Sequence, residues 1–451
     1  MSVETKKKLQ RIDLIPTKET LVEKMIQNSI GRNDDLVAFL DIIDSVEGGM
    51  SFFIDSKWGN GKTFFVKQAI LLLEHLNKHM LYNDDRLTKL LSEDDSFKGL
   101  SLEEPFLPIY YNAWEHDSYD DPLITLMGII NLSVDNINWD DSIPTKNSEK
   151  ITAIIDAILT GLTPLTLINF GGIAKGLIDG FSAQHLFDSM QAETQIKNKL
   201  SELIDEILKE RANKMVLFID ELDRCNPPFA FKLLERIKYL FEKDNIIIIF
   251  STDHNQLTET IKGYYGEGID GGKYLSRFYD QKLCLTPVKP HNYLQSIGFN
   301  YNNRYFNLIA YEIAEKLNFA MRDFNRYVSE LNEIMDPPFS SRNVGGKLYL
   351  FELVFAPVLV AISIYSSSDY QKIISGAAFE LLENYVRECS SFQEILSEIK
   401  KSSSNEEMTD KDYFKSVYDT AFRSNEKILR TEDEQIRFSA EKFLSLGRYN
   451  R

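Results

Sequence analysis

The sequence predicts an α/β fold in which a mostly parallel sheet is flanked by helices. Short apolar runs bounded by turns are typical of buried strands, and amphipathic segments between them are typical of crossover helices. The first such run, residues 51–54, leads into a glycine-containing loop at 56–63. A later run, residues 215–219, ends in the acids Asp220 and Glu221. Polar residues at the ends of such strands indicate a ligand site at one edge of the sheet.

The loop at 56–63 reads Ser-Lys-Trp-Gly-Asn-Gly-Lys-Thr and matches the phosphate-binding P-loop, or Walker A, pattern except at its first position. In a P-loop, backbone N–H groups at a helix N-terminus point at phosphate oxygens, the lysine reaches the outer phosphates and the hydroxyl contacts Mg²⁺. Ser56 replaces the first glycine, so the turn begins without glycine's freedom in φ. Lys62 is a candidate catalytic residue. The residues expected to bind the nucleotide are Trp58, Gly59, Asn60, Gly61, Lys62, Thr63 and Phe64.

Asp220 and Glu221 form the second half of the predicted site, an arrangement called Walker B. Asp220, together with the Thr63 hydroxyl, is expected to hold Mg²⁺, because that ion prefers hard oxygen ligands. Glu221 is expected to orient and deprotonate the attacking water. Either motif alone is compatible with an ordinary turn or a solvated strand end. Both motifs in this order predict that the chain binds and hydrolyses ATP.

Three stretches together make the chain similar to the KAP family of P-loop NTPases: residues 57–63, the Tyr-Asn-Ala-Trp-Glu of 111–115 and the Asp-Glu-Leu-Asp-Arg-Cys of 220–225. The resemblance covers about residues 30–330. It implies an additional-strand ATPase core with a helical insertion between the Walker motifs, which in some members spans the membrane. Besides the serine that opens the P-loop, Glu221 departs from the family, which commonly has a second aspartate there.

The apolar run 245–250 is interpreted as the additional strand of this class. Ser251, Thr252 and Asp253 follow it, and all three are compatible with the sensor 1 residue that contacts the attacking water or the γ-phosphate. The alternative is a polar strand end that caps the next helix.

Four arginines are further candidates. Arg322 lies in the segment that corresponds to sensor 2 in the resembling family, which implies that it contacts the γ-phosphate and closes a helical lid on ATP. Arg326 lies four residues on, on the same predicted helical face. Arg277 is either a finger toward a neighbouring subunit's nucleotide or an arginine extended along a helix surface. Arg32, preceded by a glycine, is either part of a box near the adenine or an exposed residue after a helix cap.

The segment after the predicted strand 106–111 adds three aromatic or ionisable residues near the same sheet edge. Glu115 and His116 are site candidates, although an ordinary loop role is favoured for the histidine because no second ligand lies at metal spacing. Trp114 is expected to pack at the edge of the core rather than to stack on adenine.

Composition indicates a folded protein of more than one small domain, with 451 residues of which 43% are hydrophobic. The formal charge of −17, from 51 basic and 68 acidic residues, argues against nucleic acid as the main ligand, because phosphate neutralisation needs a basic surface. The three cysteines, at positions 225, 284 and 389, are too scattered for a disulfide framework or a zinc site. The first residues lack the apolar core of a signal peptide, so we expect a cytoplasmic location.

We predict a leader at 1–33, an NTPase domain at 34–335 with an insertion at about 140–190, and a C-terminal helical region at 336–451. Residues 157–174 carry no charge, but their glycines, threonines and proline favour a buried hairpin or interfacial segment over a membrane span. Residues 348–365 are interrupted by a glutamate and a proline and are predicted to form a buried helix.

The predicted function is Mg²⁺-dependent ATP binding and hydrolysis that drives a conformational or assembly switch. The switch would control a partner, either a second copy of the chain or a separate protein. Resemblance to bacterial KAP proteins implies a role in defence against phage or mobile DNA. Two alternatives stay open: a nucleotide-binding switch or scaffold with little turnover, and a membrane-associated organiser that uses residues 151–183.

Overall fold

The structure is a computed structural model. The residues it describes are 15–82, 84–140, 153–158, 183–241, 243–288, 290–299, 301, 303–334, 346–387, 389–402, 408–423, 436 and 440, without the side chains of 183–193, 240 and 402. Most of the predicted insertion, including residues 159–174 of the uncharged stretch, lies outside the described residues.

The chain divides into two compact units. The sheet unit consists of Pro16–Asn28 and Arg32–Pro287. The helical unit consists of the described residues from Val288 onward together with Ile15 and Ser29–Gly31. The domain bounds predicted from the sequence stay a prediction.

Five parallel strands form the sheet, as the sequence predicts for this class of α/β fold. They are β1 (Met50–Asp55), β2 (Phe106–Asn112), β3 (Lys214–Asp220), β4 (Ile246–Thr252) and β5 (Gln281–Cys284), in the spatial order β2-β3-β4-β1-β5. Both β3 and β4 are buried along their whole length, which is typical of central strands of a parallel sheet. Because β4 lies between the P-loop strand β1 and the Walker B strand β3, its interpretation as the additional strand is confirmed.

Helices connect the strands of the sheet unit. They are α1 (Lys18–Ile26), α2 (Asn33–Asp44), α3 (Lys62–Leu76), α4 (Asp85–Glu93), α5 (Pro122–Asn136), α6 (Ala183–Leu208), α7 (Pro227–Leu240), α8 (His254–Tyr265) and α9 (Gly271–Leu275). Apolar side chains from the strands and from α5, α6 and α7 form one continuous core. That core fixes the ends of β2, β3 and β4 relative to one another.

The helical unit has no strand among its described residues. Its helices are α10 (Pro290–Ser296), α11 (Arg304–Lys316), α12 (Met321–Ile334), α13 (Lys347–Leu350), α14 (Ala356–Tyr365), α15 (Ser367–Ile374), α16 (Phe379–Arg387), α17 (Phe392–Ser402) and α18 (Asp410–Phe422). Aromatic contacts recur in its interior, including Phe355 with Phe414 at 4.8 Å between ring centroids. The unit therefore has an apolar core of its own.

The segment Lys347–Tyr365 joins α13 and α14 through a π-helical turn at Phe351–Phe355. By length and composition it could cross a membrane, yet 78% of its apolar window is buried inside the fold. Pro357, which has no N–H to donate, lies just after the wider turn. Its carbonyl accepts a hydrogen bond from the buried Tyr327 hydroxyl at 3.0 Å. The segment is a buried helix, as the sequence predicts.

Candidate functional site

The carboxyl ends of four strands meet at one edge of the sheet. Asp55, Asn112, Asp220 and Thr252 are the last residues of β1, β2, β3 and β4. Asn112 is in register with Asp220, and Asp55 with Thr252. The topology therefore brings both Walker motifs, which lie more than 150 residues apart in sequence, to the edge where open α/β sheets bind ligands.

The P-loop turns with two glycines in the left-handed region. Gly59 and Gly61 have φ values of 79° and 78°, which residues with a β-carbon rarely adopt. Ser56 does not have a positive φ, so the loss of the usual first glycine costs the turn nothing in backbone strain. Its Oγ accepts a hydrogen bond from Asn60 Nδ2 at 2.8 Å. This bond closes the loop on itself.

Helix α3 begins at Lys62, directly after the loop, and no described side chain caps its N-terminus. Its first backbone N–H groups, including those of Thr63 and Phe64, have no partner within the helix and can bind an anion. The Phe64 side chain is buried, so only its backbone can contribute to the site. The Trp58 side chain is half exposed beside the loop.

Lys62 points back into the P-loop. Its Nζ donates to the carbonyl oxygens of Ser56 at 2.5 Å and Lys57 at 3.3 Å. Burial lowers the pKa of Lys62, and the opposing charges come from Asp223, Asp253, Asp220 and Glu221. The ammonium thus lies among carbonyl and carboxylate oxygens, where a triphosphate would supply competing acceptors.

Asp220 is buried, and its carboxylate accepts hydrogen bonds on both oxygens. Ser251 Oγ and the Glu221 N–H donate to Oδ1 at 2.8 and 3.0 Å, and the Tyr110 hydroxyl donates to Oδ2 at 3.1 Å. Burial raises the pKa of Asp220, and hydrogen bonds from Thr63, Ser251, Tyr110 and the backbone oppose that rise. These donors hold the carboxylate in one orientation, as a ligand to a metal or to its water shell requires.

Glu221 follows with a left-handed backbone, φ 63°. Its Oε1 accepts a hydrogen bond from Thr63 Oγ1 at 3.2 Å, and its Oε2 is paired with Arg224 Nε. Burial and the neighbouring Asp220 raise the pKa of Glu221, whereas Arg224 lowers it. The structure thus brings the Walker B glutamate into contact with the Walker A threonine, and both residues lie where the sequence predicts them.

The three polar residues at the end of β4 have three different partners. Ser251 donates to Asp220, and Thr252 Oγ1 donates to Asp223 Oδ1 at 2.8 Å. Asp253 Oδ2 accepts from the Trp58 N–H at 3.1 Å, while its Oδ1 caps helix α8. The strand end therefore contacts the Walker residues and, through Asp253, caps the next helix. Which of the three residues acts as sensor 1 stays a prediction.

Arg32 has a larger role than the sequence reveals. Its side chain is buried, its Nη1 donates to the Asn60 carbonyl at 2.8 Å, and its Nε and Nη2 donate to the Thr286 carbonyl at 3.1 and 2.9 Å. Burial lowers the pKa of Arg32 to about 10, and the charge of Asp35 opposes this. Arg32 therefore ties the P-loop to the segment after β5, and the alternative of an exposed arginine is wrong.

The loop after β2 corrects one prediction. Trp114 is not packed at the core edge: it is 50% exposed, and its ring lies 5.3 Å from the Arg224 guanidinium carbon. Asn112 places it, because its Oδ1 accepts from the Trp114 N–H at 3.2 Å and its Nδ2 donates to Glu115 Oε1 at 2.8 Å. His116 stacks on Tyr111 at 5.2 Å between ring centroids, in keeping with the ordinary role favoured for it.

The remaining arginines are exposed. Arg322 and Arg326 lie on α12, in the helical unit, where Arg326 Nε is paired with Glu330 at 2.7 Å. Arg277 follows α9 in the sheet unit, with its guanidinium 5.9 Å from the Tyr274 ring centroid. Their roles toward a nucleotide stay predictions.

The oxygen donors of Thr63 and Asp220 fit a hard cation such as Mg²⁺. The described residues contain no group of three or more His, Cys, Asp or Glu side chains that could hold a metal ion on protein ligands alone. Sequence reasoning missed the contribution of Tyr110, whose only sequence signal is its place near the end of β2.

Comparison with known proteins agrees with this geometry. The model of the KAP family P-loop domain matches residues 21–292, more than half of the chain. A search of curated proteins with the whole sequence found no match. The matched residues include the P-loop, the loop with Trp114, the Walker B acids and the end of β4. The chain therefore belongs to the KAP family of P-loop NTPases.

Proposed function

We propose that this protein binds ATP with Mg²⁺ and hydrolyses it to ADP and phosphate. The observation that carries the proposal is the hydrogen bond from Thr63 Oγ1 to Glu221 Oε1, which joins the Walker A hydroxyl to the Walker B glutamate. A water molecule attacking a phosphate held by the P-loop would lie near the same carboxylate. Glu221 would orient this water and take its proton.

Different residues of the chain would bind the phosphates and the metal ion. Lys62 and the first N–H groups of α3 would bind the β- and γ-phosphates, since Lys62 can exchange its loop carbonyls for phosphate oxygens. Thr63 and Asp220 would hold Mg²⁺, and Ser251 and Tyr110 keep Asp220 oriented for that purpose. The ion supplies positive charge that neutralises the phosphate oxygens. Arg322 is proposed to reach the γ-phosphate as sensor 2.

Turnover by the purified protein tests this proposal, measured beside Lys62→Ala and Glu221→Gln. We expect each substitution to lower kcat by at least ~100-fold, because each removes a group that acts on the transition state. Lys89→Ala is a matched control, since Lys89 is exposed and is paired with the exposed Glu93 at 3.6 Å. The proposal is supported if wild type and Lys89→Ala hydrolyse ATP in the presence of Mg²⁺ and the other two variants do not. Full activity of Glu221→Gln would overturn the role of Glu221.

We further propose that hydrolysis drives a conformational or assembly switch, acting on a second copy of the chain or on a separate protein. The support is that phosphate oxygens would compete with the loop carbonyls for Lys62, so nucleotide binding would change the contacts inside the loop. Oligomeric state can be recorded by light scattering with and without ATP. A Glu221→Gln form that assembles only with ATP is the expected result, and an unchanged mass in all states would argue against assembly.

A second candidate is a nucleotide switch or scaffold with little turnover. It is favoured by the ion pair with Arg224, because this pair occupies one carboxylate oxygen of Glu221, the residue proposed to act as the base. Nucleotide binding without multiple turnover would select it. A role in bacterial defence is proposed on the family resemblance, and a cytoplasmic location on the few, scattered cysteines. A plaque assay with wild type and Lys62→Ala tests the defence role, and equal protection by both would refute a nucleotide-driven one.

A further inference from the structure

Arg224 is held in the site by more than its ion pair. It lies on the 3₁₀ turn Leu222–Arg224, directly after the Walker B acids, and its backbone N–H donates to the Glu221 carbonyl at 3.1 Å. Its Nε is paired with Glu221 Oε2, and only 22% and 16% of the two side chains are exposed. A partly buried pair of this kind is screened less by solvent than a surface pair.

Two indole rings lie next to the Arg224 guanidinium. Its central carbon lies 5.1 Å from the Trp58 ring and 5.3 Å from the Trp114 ring. Trp58 belongs to the P-loop, and Trp114 is placed by Asn112 at the end of β2. Cation–π contacts at such half-exposed rings are individually weak, but two of them restrain the orientation of the guanidinium plane. Arg224 thus contacts the P-loop through Trp58, the loop after β2 through Trp114, and Walker B through Glu221. The two indoles restrain the guanidinium plane, and the ion pair joins it to Glu221.

The two oxygens of Glu221 have different partners. Oε2 is paired with Arg224, whereas Oε1 accepts a hydrogen bond from the Thr63 hydroxyl at 3.2 Å. If the Thr63 hydroxyl turned toward Mg²⁺, its hydrogen bond to Oε1 would be weakened, while the pairing of Oε2 with Arg224 would remain. Oε1 would then be the oxygen open to a water molecule beside the P-loop.

We propose that Arg224, restrained by Trp58 and Trp114, is the positioning residue of Glu221: it fixes Oε2 so that Oε1 is directed at the attacking water. This inference rests on the proposed ATP hydrolysis. Arg224 touches neither water nor phosphate in this role and acts only through Glu221. The arrangement also explains why a tryptophan occurs both inside the P-loop and after β2, where half-exposed indoles contribute little to a core.

The test compares kcat with nucleotide affinity in Arg224→Ala, Arg224→Lys and Trp114→Leu. We expect kcat to fall ~10–100-fold in Arg224→Ala, while Kd for a non-hydrolysable ATP analogue changes less than ~3-fold, because only the base is misplaced. Arg224→Lys should be intermediate, since an ammonium keeps the charge but not the planar fork. Trp114→Leu should lower kcat less than Arg224→Ala. If Arg224→Ala fails to fold, Trp114→Leu still tests the inference, because the Trp114 ring that it removes is half exposed.

Two further readouts separate positioning from a merely structural role. In the Glu221→Gln background, Arg224→Ala should have no additional effect on kcat, because both changes disable the same group. Without nucleotide, acrylamide should quench tryptophan fluorescence more strongly in Arg224→Ala than in wild type. Arg86→Ala, which removes an arginine paired with Asp84 at 2.8 Å, is the control and should change neither kcat nor the quenching of tryptophan fluorescence.

Several outcomes would overturn the inference. Equal kcat in Arg224→Ala and wild type would do so while leaving the proposed hydrolysis intact, as would a parallel loss of kcat, affinity and melting temperature. A faster Arg224→Ala would mean that the pair restrains Glu221 from acting. If wild type binds nucleotide without turnover, the proposed function itself fails, and a catalytic position for Glu221 fails with it.

Discussion

A single buried arginine connects the start of the sheet unit to its phosphate loop. Arg32 is buried, and its guanidinium donates to the carbonyls of Asn60 and Thr286, so its charge is compensated by backbone oxygens from two distant segments. The sequence distance between Arg32 and Thr286, 254 residues, explains why no local pattern reveals the contact. Lys62, Thr63, Asp220 and Glu221 could be predicted because their motifs are local.

We predict that Arg32→Lys weakens both stability and nucleotide affinity. Lysine cannot reproduce the fork that holds two carbonyls, so a loss of about 1–3 kcal/mol in the free energy of unfolding is expected. Urea denaturation and nucleotide titration measure the two effects. Arg387→Lys is the control, because Arg387 is largely exposed and paired with Glu383 at 3.1 Å. Equal stability of the two variants would contradict the role given to Arg32.

Glu74 on α3 gives a prediction of pH dependence. Burial raises the pKa of Glu74, and the charge of Lys18 opposes this only in part. The folded state therefore binds the proton more tightly than the unfolded state, so this stabilising contribution is present below the ordinary carboxyl pKa and is lost as pH rises through the raised value. Glu74→Gln should raise Tm at pH 7.5, and this gain should vanish near pH 4.

A melting series from pH 4 to pH 8 checks this, with Glu93→Gln as the control. Glu93 is exposed on α4 beside Lys89, and its substitution should leave Tm nearly constant across the series. A gain in Tm for Glu74→Gln that is the same at every pH would have another cause than ionisation.

The backbone just before β1 lies very close to the backbone at the start of β4. Gly49 precedes β1, and a methyl group there would overlap the Lys243 carbonyl and lie 3.1 Å from the Ile246 carbonyl. Gly48 has far more room, with Asp244 Oδ1 at 3.8 Å. The two adjacent glycines therefore differ in what a side chain would meet.

We predict that Gly49→Ala lowers the free energy of unfolding by about 1–3 kcal/mol, because backbone must move to accept the methyl group. Gly48→Ala should be nearly neutral. Denaturant unfolding of both variants measures the difference. Similar values for the two would show that the start of β1 can shift without cost.

The helix around Leu359 is apolar enough to cross a membrane by length and composition, yet most of it is buried inside the fold. Leu359 is fully buried, whereas Tyr365 at the end of the same helix is 57% exposed. Leu359→Ala should therefore cost about 2–5 kcal/mol of stability through lost burial and a cavity. Tyr365→Ala is the control and should cost less than ~0.5 kcal/mol. Urea unfolding without detergent distinguishes a core helix, and equal small effects would argue for a surface or lipid-facing one.

Strands and crossover helices of the sheet unit could be predicted from periodicity because each is a local pattern with one buried side. The additional strand was recognisable as the run of isoleucines that precedes Ser251. The exposure of Trp114 could not be predicted, since a large apolar residue next to a strand is most often part of a core. Its position depends on Asn112 and on a charge that lies over a hundred residues away.

At the scale of the whole molecule, the net charge of −17 sets the response to polyanions. We predict that duplex DNA raises ATP turnover less than ~2-fold at about 150 mM salt, because a protein that follows DNA needs a cationic surface. ATPase assays with and without DNA check this. Strong, salt-sensitive stimulation would point to a local basic surface and revive nucleic-acid translocation as a function.

The left-handed backbone of Glu221 sets two requirements of the proposed catalytic position against each other. Left-handed residues other than glycine cost about 1–2 kcal/mol, and aspartate and asparagine adopt that region several times more often than other such residues. The aspartate common at this position in the family suits the backbone, while glutamate adds one methylene of reach toward Thr63. An exchange between the two acids here therefore alters how far the base extends and how easily the turn forms, although the charge is unchanged.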